Sequence, residues 1–281
     1  MLIGGAMLTG VVVAAAGWRA DPAVLLWGGA AAAAFVLGRR RSRGHGRDAV
    51  AFWAALAVLA VALASPLDAA AEELFAWHMV QHLLLGLLAP LLLVRARPMR
   101  TWSALLDPAV RRHLSRRINR FAHRRGLARG SAAVGAVVAG THVVVTAAWH
   151  VPLLYDLATR TTVVHLLEHA SFFASGLALW WCVLGVRWNE RGGSSVLVLF
   201  VSGLGTGAVA ALLTLAPRPL YDAHLTTTAR WGLSPLEDQQ LAGAIMWVPG
   251  GMVYLIATAT LLVRWLDAGP GRHPQPIEAR P

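Results

Sequence analysis

Long apolar stretches, separated by short segments that are either rich in arginine or carry acids, dominate the chain. Stretches able to cross a bilayer, allowing for a turn at either end, fall near 22–38, 50–64, 74–94, 131–149, 163–186, 195–216 and 240–265. Each is read as a helix, because in lipid only a helix or a closed barrel satisfies its own backbone. The pattern therefore predicts an all-α fold, a polytopic transmembrane helix bundle of about seven spans. A further stretch at 2–16 lacks the basic flank of a signal peptide and is short for a full crossing, so an eighth span there stays open. The division is an apolar N-terminal segment (1–17), one transmembrane domain (18–266) with no linker, and a Pro/Arg tail (267–281) expected to be disordered and cytoplasmic.

Composition agrees with a membrane solvent. Hydrophobic residues make up 57% of the 281 positions and charged ones only 14%, more apolar surface than a soluble domain of this size hides. The formal charge is +11 and every basic residue is arginine. Nucleic acid is not implied, because these arginines lie in short loops, where they anchor topology against anionic lipid. Arg39, Arg40, Arg41, Arg43 and Arg47 set one loop inside, and the arginines from Arg95 to Arg129 set a second one inside. Within that loop Arg111–Arg125 reads as a basic surface helix or a solvated anchor. Asp68, Glu72, Glu73, Asp156, Asp222, Glu237 and Asp238 then fall outside. The single cysteine, Cys182, excludes internal disulfides and multi-thiolate metal sites. Soft-metal chemistry is left to histidine and methionine.

Two five-residue words carry the chemistry: His78-Met79-Val80-Gln81-His82 and His165-Leu166-Leu167-Glu168-His169. The i,i+4 spacing puts both imidazoles of each word on one helix face, roughly 6 Å apart along the axis. Ionisable side chains inside spans are costly and by default functional. On the expected topology these four histidines join His142 and His150 in the extracytoplasmic half of the membrane. At about 1.5 Å per residue, His78, His165 and His150 form an outer layer with Asp238. His82, His169, His142 and Met246 form an inner one. A lone His142 or His150 would serve equally as a helix-packing hydrogen bonder; matched depths argue for ligands. Imidazoles suit copper, zinc or iron, and a thioether turns the choice toward Cu(I). Met79, one position round the helix from His78, is expected nearer lipid. Glu168 and Gln81 precede the deeper histidine of each word and are expected to orient its ring, with an interhelical hydrogen bond as the other role for Gln81.

The words His78 to His82 with Leu83–Pro90, Trp149-His150-Val151-Pro152 with Leu154-Tyr155-Asp156, His165 to His169, Pro219-Leu220-Tyr221, and Glu237-Asp238-Gln239-Gln240-Leu241-Ala242-Gly243 through Met246-Trp247 occur together and in order. In this the chain resembles the multi-spanning cytochrome c oxidase assembly factors of the CtaG type, linked to caa3-type oxidase, from about Trp18 to Trp265. The resemblance implies a seven-helical protein of the cell membrane that is required for active haem–copper oxidase. It also implies copper delivery to the CuB site, with oxidase subunit I as the partner. The layered histidines add a route: Cu(I) from an extracytoplasmic donor is caught by the outer layer and passed to the inner one. Two other classes compete. His165-x-x-Glu168-His169 matches the inverted zinc-protease word of an intramembrane hydrolase, which needs a further ligand downstream. His82 and His169 would clamp a haem iron in an electron carrier.

Overall fold

The apolar stretches fold as helices, and no strand occurs among the described residues. The computed structural model describes residues 22–42, 46–124, 131–184 and 188–268; the stretch at 2–16 and the tail beyond 268 lie outside them. In chain order the helices are α1 (Pro22–Arg41), α2 (Gly46–Ala64), α3 (Pro66–Glu73) and α4 (Phe75–Ala96), then α5 (Pro98–Ser103) and α6 (Pro108–Arg124). They are followed by α7 (Ala132–Trp149), α8 (Pro152–Arg160), α9 (Thr162–Leu184) and α10 (Trp188–Thr214). The last, α11, runs through Pro235–Ile245, a π turn at Met246–Gly250, and Gly251–Ala268. Six of them are long and apolar enough to cross a membrane: α2, α4, α7, α9, α10 from Gly192, and α11. The first stretch expected to span folds as α1, a helix of 20 residues ending on Arg39, Arg40 and Arg41, and it is not among these six.

Local chemistry sets the helix ends. The Ser65, Ser131 and Ser234 hydroxyls accept from backbone N–H groups in the first turns of α3, α7 and α11, and Glu237 closes a capping box with Ser234. Pro66, Pro152 and Pro235 follow their caps directly, where a missing N–H costs nothing. The expected basic helix of the long loop exists as α6, and its described side chains are exposed.

Helix α4 is the centre of the bundle. Half of it is buried, the largest share of any span, and it packs against α2, α9 and the first part of α11. A π turn at Leu84–Leu88 breaks its register just beyond His82, and α9 closes on that turn through Gly176, whose missing side chain leaves room for the Gly86 carbonyl. Toward the arginine-rich end the core is Leu87, Leu179, Trp180, Val183, Leu199, Tyr254 and their neighbours. Phe35 and Phe52, with ring centroids 3.8 Å apart, tie α1 to α2.

The acidic end carries a lid of short elements. α8 and the loop around Tyr221 pack on Phe75, Ala76 and Met79, and α3 meets a 3-10 turn at Thr228–Trp231 through Ala70, Leu74 and Trp231. Glu73 pins the lid. Its carbonyl accepts from Thr227 Oγ1 at 2.6 Å, and its carboxylate accepts from Trp231 Nε1 at 2.8 Å and Arg230 Nη1 at 3.1 Å.

The close approach of α9 to the π turn makes a stability test. A Cβ at Gly176 would overlap the Gly86 backbone, so Gly176→Ala is expected to cost about 1–3 kcal/mol, as overpacked sites do. Gly207→Ala meets open space and is expected to change stability by less than about 0.5 kcal/mol. Thermal unfolding of the two purified variants in detergent separates these outcomes.

Candidate metal centre

The two histidine words meet face to face. Helix α4 supplies His78 and His82, and α9 supplies His165, Glu168 and His169. Within each word the ring centroids lie 4.2 Å and 4.1 Å apart. Across the helices His78 is 5.6 Å from His165 and 6.1 Å from His169, and His82 is 5.5 Å from His169. Glu168 is fully buried between them. One of its oxygens lies 3.7 Å from His78 Nε2 and the other 3.6 Å from His82 Nε2.

None of these facing atoms has a hydrogen-bond partner. His78 Nε2, both nitrogens of His82, His165 Nε2, His169 Nε2 and both Glu168 oxygens are buried and unsatisfied. A carboxylate in such a place costs several kcal/mol unless something positive or a donor meets it. Four imidazoles and one carboxylate gathered between two helices with unpartnered atoms form an arrangement that a bound cation would resolve. Ligand atoms converge within 4.8 Å in two overlapping triads, His78–His165–His169 and His78–His82–Glu168. The residues present thus fit a first-row metal ion. His78 belongs to both triads.

The other residues singled out in the sequence go elsewhere. His142 is saturated by protein, with Nδ1 3.1 Å from Ser175 Oγ and Nε2 2.6 Å from the Tyr254 hydroxyl. His150 binds the Thr146 carbonyl through Nδ1 at 2.7 Å. Met246 is half-buried and lines a cavity of about 50 Å³ with Met79, His82, His142 and His150. Gln81 turns away from the cluster and donates to the Ala62 carbonyl at 2.8 Å and to Asp68 at 2.7 Å, bracing α4 against α2 and α3. Asp238 also points elsewhere: its two oxygens accept from Phe75 N and Ala76 N at 2.8 and 3.0 Å, so α11 caps the start of α4.

Some functional neighbours were not visible in the sequence. Met79, expected nearer lipid, is 1% exposed, because a central helix is covered on every side. Tyr155 lies 5.2 Å ring to ring from His78, and its hydroxyl is hydrogen-bonded to His224 Nε2 at 2.7 Å. Burial holds the His224 imidazole down at about 4, which keeps it neutral. The Tyr155-Asp156 and Tyr221 words were the only signal for this polar roof. His78, upstream of the inverted zinc-protease word, has a ligand atom within 4.8 Å of those of His165 and His169, the place of the further ligand that such a word would require.

A family model described as cytochrome c oxidase caa3 assembly factor (Caa3_CtaG) matches residues 31–268 of the chain. The chain belongs to that family. No curated protein and no solved structure matches it. The match spans the whole helical bundle from within α1 to the end of α11, so both histidine words and the lid lie inside the assembly-factor domain. As an assembly factor of cytochrome c oxidase, the protein acts on the oxidase complex.

The Asp238 geometry separates architecture from ligand chemistry in this assembly factor. Asp238→Ala leaves two buried N–H groups of α4 without acceptors and is expected to cost about 0.5–2 kcal/mol, the range for a lost cap. Metal uptake by the folded variant should stay at the wild-type level. A loss of metal with unchanged thermal stability would place Asp238 in the ligand set instead.

Proposed function

We propose that this assembly factor binds copper at the junction of its two histidine words and helps deliver it to the CuB site of oxidase subunit I. The observation that carries the reading is Glu168, fully buried with neither oxygen hydrogen-bonded, facing the unpartnered Nε2 atoms of His78 and His82 on the neighbouring helix. His78, His165 and His169 would hold an arriving ion, and His78, His82 and Glu168 would hold it next. A copper-filled client site is what a haem–copper oxidase needs from an assembly factor, and a site of nitrogen and oxygen donors with exchangeable partners suits a carrier. The cluster lies at the acidic end of the bundle, opposite the arginine-rich loops, which by the positive-inside rule makes it extracytoplasmic. The copper source on that side would be an external donor.

Haem binding draws less support. His82 borders a cavity of only about 50 Å³, against the roughly 300–1,000 Å³ of sites that bury organic ligands. An intramembrane hydrolase is the second reading, because His78 completes a His78–His165–His169 triad with Glu168 beside it as a base. The two readings differ in Glu168→Gln: a hydrolase would keep its metal and lose peptide cleavage, whereas the copper carrier should lose oxidase maturation.

The double variant His82→Ala/His169→Ala is expected to insert normally, to lose stoichiometric copper after anaerobic purification, and to fail in oxidase maturation. His113→Ala in the basic helix should leave both unchanged. Wild-type copper content in the inserted double variant would sink the reading.

Sidedness has its own test. In a Cys182→Ser background, new cysteines at Asp156 and Thr227 should react with an impermeant thiol reagent in intact cells, and ones at Ser42 and Asn119 only after lysis. Labelling of Asn119 from outside with Asp156 protected would put the cluster on the cytoplasmic side.

A further inference from the structure

His150 and Met79 face each other in a way that no hydrogen bond accounts for. His150 Nδ1 lies 2.7 Å from the Thr146 carbonyl. A carbonyl oxygen only accepts, so Nδ1 carries the proton, and in the neutral ring Nε2 is a bare lone pair. That lone pair is 3.3 Å from Met79 Sδ, and a thioether likewise offers only lone pairs. His150 is 8% exposed and Met79 is 1% exposed, so bulk water does not separate them. With metal–nitrogen and metal–sulfur bonds of about 2.0 and 2.3 Å, two donors at that separation would meet one ion at an angle of roughly 100°.

The pair opens onto the cavity of about 50 Å³ that His82 and Met246 also line. That volume exceeds the roughly 15 Å³ that one water needs, so an ion fits. Both π turns contribute to its wall, through Gly86 and Leu87 on one side and Met246 and Gly250 on the other. π turns inside longer helices recur at functional sites. His82 joins this cavity to the imidazole–carboxylate cluster, since its Nε2 faces Glu168 and its Nδ1 is also without a partner.

We infer that His150 Nε2 and Met79 Sδ, with Met246 and His82 on the same cavity, form a second and softer site for monovalent copper beside the cluster. The inference rests on the reading of the cluster as a metal centre and extends it. Both principal donors are neutral, which suits a monovalent soft ion and leaves a divalent ion poorly compensated. Glu168 gives the neighbouring cluster the opposite preference. Copper would pass from one to the other by ligand exchange at His82, as Cu(I) throughout, with no electron transferred.

The test uses the full chain in detergent with Cys182→Ser, so that any sulfur ligand is a thioether. Anaerobic Cu(I) titration against a competing chelator is combined with copper X-ray absorption, and Zn(II) uptake reports the cluster separately. Wild-type coordination is expected to include sulfur at about 2.3 Å. Met79→Leu/Met246→Leu, which conserves core volume, should lose that sulfur shell and one equivalent of Cu(I), with Zn(II) uptake within twofold of wild type. A sulfur shell that persists in the double variant overturns the inference, as does wild-type copper with only nitrogen and oxygen neighbours, or no bound Cu(I) at all. The cluster reading fails separately, if His78→Ala leaves Zn(II) uptake intact.

Discussion

A buried carboxylate with no donor is the constraint around which this molecule is organised. Glu168 is fully enclosed, and both of its oxygens face imidazole nitrogens at 3.6–3.7 Å, beyond hydrogen-bond range. Inside a lipid-facing bundle such a group is tolerated only where protein surrounds it and something positive can meet it. The enclosure is supplied by α4, the most deeply buried span, pressed against α9 at a glycine. Everything around the site serves that enclosure. Asp238 ties α11 to the first turn of α4, Gln81 ties α4 to α2 and α3, and Glu73 holds the lid over the acidic end.

These braces explain why polar residues crowd the histidine words without all being ligands. A helix whose first N–H groups are buried needs acceptors, and Asp238 provides two of them from another span. His142 fills the same structural role between α7, α9 and α11 through Ser175 and Tyr254. What distinguishes the cluster from its braces is the degree of satisfaction: each bracing side chain makes at least two hydrogen bonds, with Gln81 Oε1 alone left over, whereas the facing atoms of His78, His82, His165, Glu168 and His169 have no partner. Unspent ligand capacity at the heart of an oxidase assembly factor is the observation on which the proposed copper site rests.

The π turns give the bundle its second special feature. Leu84–Leu88 follows the His78–His82 word directly, and Met246–Gly250 begins at the methionine that lines the adjoining cavity. Each inserts one extra residue into a span and leaves a local void that regular helices would close. Pro249 within the second turn and Pro90 just after the first reinforce the irregularity. The cavity is therefore built from backbone irregularity as much as from side-chain choice.

Much of this was legible in the chain itself. Apolar length determined where the long helices form, because a bilayer admits little else, and arginine placement gives the expectation for which loops share a side. The i,i+4 histidine pairs determined that each word presents two rings on one face, since helical periodicity is a local property. Which words face each other, and which polar residue near them is a ligand or a brace, was decided only by tertiary structure. Gln81 and Glu168 occupy equivalent positions in their words, yet one leans on α3 and the other faces the imidazoles of His78 and His82. Met79 sits beside His78 in sequence and would face lipid on a peripheral helix; the central place of α4 aims it at His150 instead. Periodicity sets the direction of a side chain relative to its own axis, but only packing sets the rotation of that axis against its neighbours, and at this site that rotation separates a satisfied architectural contact from an unpartnered polar atom in the cluster.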